Sequence, residues 1–265
     1  MNMGRYLVIA KSSFMTRVAR RSTFIFTFLG NLAYITVIYY LWMAVYEGNA
    51  MLNGMTFNQA FAYLALASSL FTMFQVYTEW FMSAHILNGD IITSFIKPLD
   101  YQFNKLFEAF GAVISNFITI SIPTLLVIIF VFDTKIEVGL NLAFFVISLL
   151  MAMLISFFID YMIGLCSFYT ESIWGICTTK DVIVLFLSGA MVPISFFPEY
   201  LQTICAYLPF QAIYNIPLTI VTTPGLSLMD YANALAMQGM WVVILLLVSR
   251  LLHAVATRTI TVNGG

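Results

Sequence analysis

Residues 138–159 read VGLNLAFFVISLLMAMLISFFI and contain no charged side chain. An α-helix of this length spans about 33 Å at 1.5 Å per residue, which is slightly more than the hydrocarbon core of a bilayer. A charge at the bilayer centre costs at least about 2.5–3.5 kcal/mol, so long charge-free runs locate membrane spans. This stretch therefore predicts a membrane-spanning helix, and we expect it to continue past Asp160 to about residue 166.

The composition of the whole chain agrees with a membrane protein. Hydrophobic residues make up 62% of the 265 residues and charged residues 9%, whereas a soluble domain carries roughly 25% charged residues. The formal net charge is −1, so the chain has no basic surplus with which to hold nucleic-acid phosphates. These values exclude an ordinary soluble domain, a disordered chain and a nucleic-acid binder, and they predict a polytopic membrane protein.

The other charge-poor runs predict an all-α integral membrane fold with six transmembrane helices in a single domain, residues 1–265. Residues 1–23 predict an amphipathic helix in the inner interface, because Leu7, Ala10, Phe14 and Val18 recur at helical spacing. The predicted spans are 24–46, 57–78, 109–132, 138–166, 180–197 and 231–256.

Prolines set the segment between spans five and six apart. Five of the seven prolines lie between residues 182 and 229. A span across residues 200–222 would carry Pro209 and Pro217 in its interior, at a cost of roughly 3 kcal/mol each. Residues 199–230 therefore predict an extracellular re-entrant segment of two short helices, broken at Pro209.

The distribution of Lys and Arg favours six spans with both termini in the cytoplasm. Ten of the eleven cations then lie on the inner side, and Lys135 alone lies outside. A seventh span would move Arg250 and Arg258 outside, so it fits the positive-inside rule less well.

A short apolar segment follows the second span in the sequence HILNGDIITSFIKPLD, residues 85–100. Gly89 is expected to end the preceding helix, Asp90 to cap a new one through its side chain, and Pro98 to stop it. The segment predicts either a docking helix for a soluble partner or a simple interfacial turn.

Intramembrane carboxylates are the other candidate functional residues. Asp160 lies inside the fourth span, and Glu79 and Glu108 lie at the inner ends of the second and third spans, where solvation alone is an alternative. Asp160 is either functional or a structural hydrogen-bond partner of a neighbouring helix. Arg250 either pairs with it or extends to the interface.

Signals of enzymatic chemistry are absent from the sequence. It contains no GxxxxGK[ST] loop for ATP, no HExxH or other cluster for a metal, and no GxSxG elbow for a nucleophile. We therefore expect no catalytic residue, no metal site and no cofactor bound by this chain.

Several stretches together resemble the membrane subunits of type-2 ABC export systems, in the bacterial branch of drug-export and uncharacterised permeases. The similar stretches stand in the family's order over essentially the whole chain. They are YLVIAKSSFMTRVARRSTFIF (6–26), NGDIITSFIKPLDYQFNKLFEAFG (88–111), SFYTESIWGI (167–176), LSGAMVPISFFPEYLQTICAYLPFQAIYNIPLTI (187–220) and VNGG (262–265).

The resemblance implies half of an exporter in the bacterial cytoplasmic membrane. A second permease subunit, identical or homologous, would complete the pathway, and a separate ABC ATPase dimer would bind ATP and Mg²⁺. The implied ATPase contact is a coupling loop of Gly89, Asp90, Ile91, Ile92, Phe95, Ile96, Lys97 and Pro98. The implied extracellular gate contains Pro193, Pro198, Pro209, Phe210 and Pro217.

The apolar walls favour an amphipathic, drug-like or lipid-like substrate. Two other functions remain open at this point: an integral-membrane enzyme that modifies lipids, and a channel or scaffold without an ATPase. An enzyme would need acids, bases or metal ligands at one depth, and the sequence offers Asp160, Glu79 and Glu108.

Overall fold

The computed structural model describes residues 3–132 and 139–259, which form an all-α protein with one small hairpin. Within these ranges the α-helices are α1 (Met3–Val18), α2 (Arg21–Val45), α3 (Phe57–Phe74), α4 (Thr78–Leu87), α5 (Ile91–Ile96), α6 (Tyr101–Asn116), α7 (Ile122–Phe130), α8 (Leu140–Leu165), α9 (Trp174–Leu187), α10 (Glu199–Ala206), α11 (Asn215–Thr222) and α12 (Leu228–Ala256). Strands β1 (Met51–Leu52) and β2 (Met55–Thr56) pair antiparallel.

The hairpin and α5 mark opposite ends of the bundle. α2 ends just before the hairpin and α3 begins directly after it, whereas α4 ends just before α5 and α6 begins after it. We call these the hairpin end and the α5 end. At the start of α3, Thr56 and Gln59 form a capping box, which satisfies free N–H groups of the first turn.

Among the described residues, five stretches are long and apolar enough to cross a membrane: 21–45, 57–87, 101–130, 140–168 and 228–256. The chain is thus a multi-pass membrane protein in composition and length. The fifth predicted span, 180–197, does not form one long helix. α9 begins earlier than expected and contains 14 residues, and the chain then turns before a 3₁₀ turn at Ile194–Phe196.

Helices α8 and α12 run parallel to each other. Their N-terminal ends meet where Phe144 stacks on Tyr231 at 4.6 Å, and their C-terminal ends meet where the Tyr161 hydroxyl lies 2.8 Å from Nδ1 of His253. The chain between them must therefore return along the bundle. It reaches the hairpin end at Phe196, whose ring contacts Trp42 of α2 at 4.9 Å.

The second span is interrupted rather than continuous. α3 ends at Phe74, and Tyr77 adopts left-handed backbone angles (φ 60°, ψ 38°) before α4 begins. The interruption leaves helix carbonyls without partners within their own helix. The Asn116 amide donates to the carbonyls of Thr72 (3.3 Å) and Met73 (3.2 Å), which stabilises the broken end.

The third span begins at Tyr101, eight residues before the predicted start at Ala109. Asp100 caps α6 through its side chain, which accepts the N–H of Phe103 at 2.9 Å. A π-helical segment at Phe117–Ser121 joins α6 to α7. Pro123 follows it in the first turn of α7, and the wider π turn accommodates a residue without an N–H.

Helix α1 packs against α6. Tyr6 and Ala10 are its buried residues, whereas Leu7, expected on the buried face, is exposed. A Cβ added at Gly111 of α6 would collide with the carbonyl of Ala10, so the two backbones touch at this point. The N-terminal helix is therefore fixed to the bundle as well as amphipathic.

Candidate coupling surface and buried charge cluster

The loop between α4 and α6 carries a six-residue helix, α5. Gly89 has φ of +79°, a conformation that glycine adopts without strain, and it ends the α4 segment as expected. Asp90 does not cap α5 through its side chain: its backbone is already helical, and its carbonyl accepts the Thr93 hydroxyl at 2.7 Å. Lys97 is extended, as the residue before Pro98 usually is.

The apolar side chains of α5 divide into an inner and an outer set. Ile91 is buried in the core, whereas Phe95 is 40% exposed although its ring lies against Tyr101, with ring centroids 5.7 Å apart. Ile96 is 79% exposed and Ile92 is 42% exposed. The helix is thus fastened by its first residue and presents isoleucines outward beside exposed Lys97 and Pro98.

The loop ends in a network that joins three helices. Arg250 of α12 pairs with Asp100 at 2.6 Å, and the N–H of Asp100 donates to the Tyr6 hydroxyl of α1 at 3.0 Å. Burial raises the pKa of Asp100. The hydrogen bonds from Arg250 and Phe103 and the charge of Arg250 lower it by a larger amount, so the pKa lies below its usual value. The resulting stabilisation is present above the pKa of an unfolded Asp and is lost as pH falls through the lower folded pKa.

Arg250 is therefore not the partner of Asp160. The partner is Lys180 of α9, whose ammonium lies 2.8 Å from Asp160 of α8 and 3.0 Å from Glu79 of α4. A third carboxylate, Asp181, lies 2.8 Å from the same ammonium. We call Glu79, Asp160, Lys180 and Asp181 the charge cluster.

Burial differs among the members of the charge cluster. The side chains of Glu79, Asp160 and Lys180 are 2%, 11% and 12% exposed, whereas that of Asp181 is 56% exposed. Glu79 is thus buried rather than solvated, which corrects one expectation. Its second oxygen, Oε2, is buried without a hydrogen-bond partner.

Two cavities meet at the interruption between α3 and α4. A cavity of about 60 Å³ is lined by the charge cluster and by aromatic residues that include Phe74 and Tyr214. A larger cleft of about 580 Å³ lies between α1, α2 and α6 and is lined by Arg17, Arg20 and several hydroxyl groups. Gln75 and Tyr77 line both.

Each proline of the implied gate stands at the beginning of a short helix. Pro193 precedes the first 3₁₀ turn, Pro198 precedes α10, Pro209 opens the 3₁₀ turn Pro209–Ala212, and Pro217 lies in the first turn of α11. At these positions no intrahelical N–H bond is lost.

The second half of the segment, residues 211–221, is largely buried against the core. The Gln238 amide of α12 donates to the carbonyls of Ala212 (2.8 Å) and Ser148 (3.2 Å). The ring of Tyr214 lies 6.0 Å from that of Phe74, so the segment reaches the cavity of the charge cluster. Phe210, next to Pro209, lines a groove that also contains Lys180.

A family model described as ABC-2 family transporter protein matches residues 32–264. The chain belongs to the ABC-2 transporter family. No curated protein shows significant sequence similarity to it.

The ABC-2 family consists of transport membrane subunits, so this ABC-2 protein is a permease subunit of an ABC transporter and is not itself catalytic. The family implies a transporter system with an ATPase partner, typically as a dimer. In the described part of the ABC-2 chain, no group of three or more His, Cys, Asp or Glu side chains is arranged to hold a metal ion.

Sequence reasoning missed the role of Lys180 and the interruption at Gln75–Tyr77. The sequence identifies Lys180 only as an inner-side cation, because its buried partners Asp160 and Glu79 are 20 and 101 residues away along the chain. The available signal was the pair Lys180–Asp181 at the start of the fifth predicted span, opposite an intramembrane Asp160. No glycine or proline marks the interruption, so the sequence offers little to locate it.

Proposed function

We propose that this permease forms half of the translocation pathway of an ATP-driven exporter in the bacterial cytoplasmic membrane. A second permease subunit, identical or homologous, completes the pathway. ATP and Mg²⁺ bind to a separate ABC ATPase dimer, which docks at the α5 end. The substrate is amphipathic, drug-like or lipid-like.

The single observation that carries the proposal is the outward face of α5. A helix of six residues is too short to be stable in isolation, so it depends on packing against other surfaces. Ile91 packs into the core, and Ile92, Phe95 and Ile96 are left at least 40% exposed on a loop that is anchored at Asp100. An apolar surface on an anchored loop is suited to transmit movement from a soluble ATPase to the membrane helices.

Six membrane crossings, with both termini in the cytoplasm, agree with this docking. Because α8 and α12 are parallel, the chain between them returns along the bundle, and we assign the additional crossing to α9, a 14-residue helix followed by a turn. The gate segment, with Pro193, Pro198, Pro209, Phe210 and Pro217, then dips inward from the hairpin end. ATP-driven closure of the ATPases would rock the α5 ends and open the gate.

The test is the substitution Ile96→Asp. A charge on the exposed face should abolish docking, since charged residues are depleted in the cores of interfaces. The tagged permease is expressed in its source cells and purified in mild detergent. We expect ATP hydrolysis and an ABC ATPase, identified by mass spectrometry, to copurify with the wild type and to fall at least about tenfold with the variant.

The matched control is Met51→Asp, an exposed apolar residue of the hairpin end. This variant should retain the ATPase. Equal retention by Ile96→Asp, at equal permease yield, would show that α5 is not the docking surface. A wild-type permease that never carries an ATPase would refute the proposal as a whole.

A further inference from the structure

We propose that the cavity of the charge cluster binds the ammonium group of a singly charged, amine-bearing amphiphile. Binding itself is a property of this chain. That the bound amine is also transported rests on the proposed function above.

The charges of the cluster do not balance. Lys180 is the one ammonium among three carboxylates, and it touches all three at 2.8–3.0 Å. Two of these carboxylates are almost completely buried, where an uncompensated negative charge is costly. With both buried carboxylates ionised, the arrangement is one positive charge short even when half-exposed Asp181 is left to the solvent.

A cation that supplies the missing positive charge has a site next to Glu79. Glu79 is 98% buried, its Oε1 accepts from Lys180, and its Oε2 is buried without a partner. Glu79 lines the same cavity as the aromatic side chains of Phe71, Phe74, Tyr77 and Tyr214. Carboxylates combined with aromatic faces recognise organic ammonium groups through ionic and cation–π interactions.

The sizes of the cavities restrict the ligand. A volume of about 60 Å³ accepts an ammonium group with a short stem, not a whole drug-sized molecule. Half-exposed Tyr77 borders both this cavity and the cleft of about 580 Å³, so the two are adjacent, and we place the apolar body of the ligand in the larger one. Arg17, Arg20 and one carboxylate, Glu108, line the larger cleft, so its lining carries a net positive charge that disfavours a second cation there. The chemical class is therefore a monoamine and not a diamine.

The experiment is a calorimetric titration of the purified permease, in a neutral detergent, with n-hexylammonium chloride. The wild type should bind it saturably, hexane-1,6-diammonium at least about tenfold more weakly, and n-hexanol not at all. Glu79→Gln should weaken the binding of hexylammonium at least about tenfold, because it removes a buried ionic partner. Glu47→Gln, at an exposed carboxylate of the hairpin end, should leave the affinity unchanged.

Asp181→Asn supplies a second test, since this half-exposed residue can be changed with little risk to folding. It should weaken hexylammonium binding severalfold. The inference is overturned if wild type and Glu79→Gln bind hexylammonium equally, if hexanol competes equally well, or if the wild type shows no saturable binding. None of these outcomes depends on an ATPase, so they leave the exporter proposal to its own test.

Discussion

At the residue scale, Lys180 is the side chain of α9 that forms ion pairs with two other helices. It holds together α4, α8 and α9 through ion pairs to Glu79 and Asp160 in a buried setting. A buried ion pair adds little net stability over an apolar contact, but removal of one partner is expensive because the other charge stays buried and unpaired.

Lys180→Met should therefore destabilise the permease by about 3–5 kcal/mol. The measurement is reversible unfolding in mixed micelles, with helix content as the signal. Lys11→Met, at an exposed lysine of α1, is the matched control and should change the stability by less than about 0.5 kcal/mol. Equal stabilities for both variants would mean that water, and not Lys180, compensates the carboxylates.

Asp160 illustrates what sequence can and cannot predict at this scale. A carboxylate inside an apolar run is visible in the sequence, and its burial follows from the cost of exposing it to lipid. Its partner is not visible, because Arg250 and Lys180 both lie at suitable depths along their helices. The path of the chain through α9 determines which cation pairs with Asp160. It brings Lys180 beside Asp160, whereas Arg250 pairs with Asp100.

At the scale of elements, the long helices were predictable and their ends were not. Apolar length alone located α2, α8 and α12. The early start of α6 at Tyr101 was missed because Lys105 and Glu108 looked like the limit of a span. They form an i,i+3 ion pair at 2.9 Å within the helix, which lets α6 continue to its cap at Asp100.

The contact between α1 and α6 gives a prediction for a single methyl group. Gly111→Ala would place Cβ against the carbonyl of Ala10, which is backbone and cannot rotate away. We expect a loss of about 1–3 kcal/mol and increased proteolysis of α1 in the folded protein. Thermal unfolding and limited trypsin digestion measure the two effects.

Gly239→Ala in α12 is the matched control, because no atom lies within 4 Å of the added Cβ. It should leave α1 protected and should not lower the stability, since alanine favours a helix more than glycine does. If Gly111→Ala behaves in the same way, α1 and α6 are not in backbone contact in the membrane.

At the scale of the whole molecule, the parallel pair α8 and α12 predicts which residues face the same side of the membrane. Asn53, in the hairpin turn, and Ser227, at the cap of α12, both belong to the hairpin end. Ser12 of α1 and Thr93 of α5 belong to the α5 end.

In a background without Cys166, Cys177 and Cys205, single cysteines at these four positions test the arrangement. A membrane-impermeant maleimide added to intact cells should label Asn53→Cys and Ser227→Cys, and should label Ser12→Cys and Thr93→Cys only after lysis. Labelling of Ser227→Cys only after lysis would mean that the α9 segment does not cross the membrane.

The charge cluster also has a consequence for biosynthesis. A ribosome delivers Glu79 first, Asp160 second and Lys180 last, so both acids have left the ribosome before the base does. Each acid enters within a strongly apolar helix, which offsets the cost of its insertion. α9 is short and carries two charges, so its insertion into lipid by the translocon is less favourable than that of the longer helices. The helices inserted earlier already carry Glu79 and Asp160, the carboxylates that pair with Lys180. We therefore expect α9 to be stabilised in the membrane by packing against these helices of the same nascent chain.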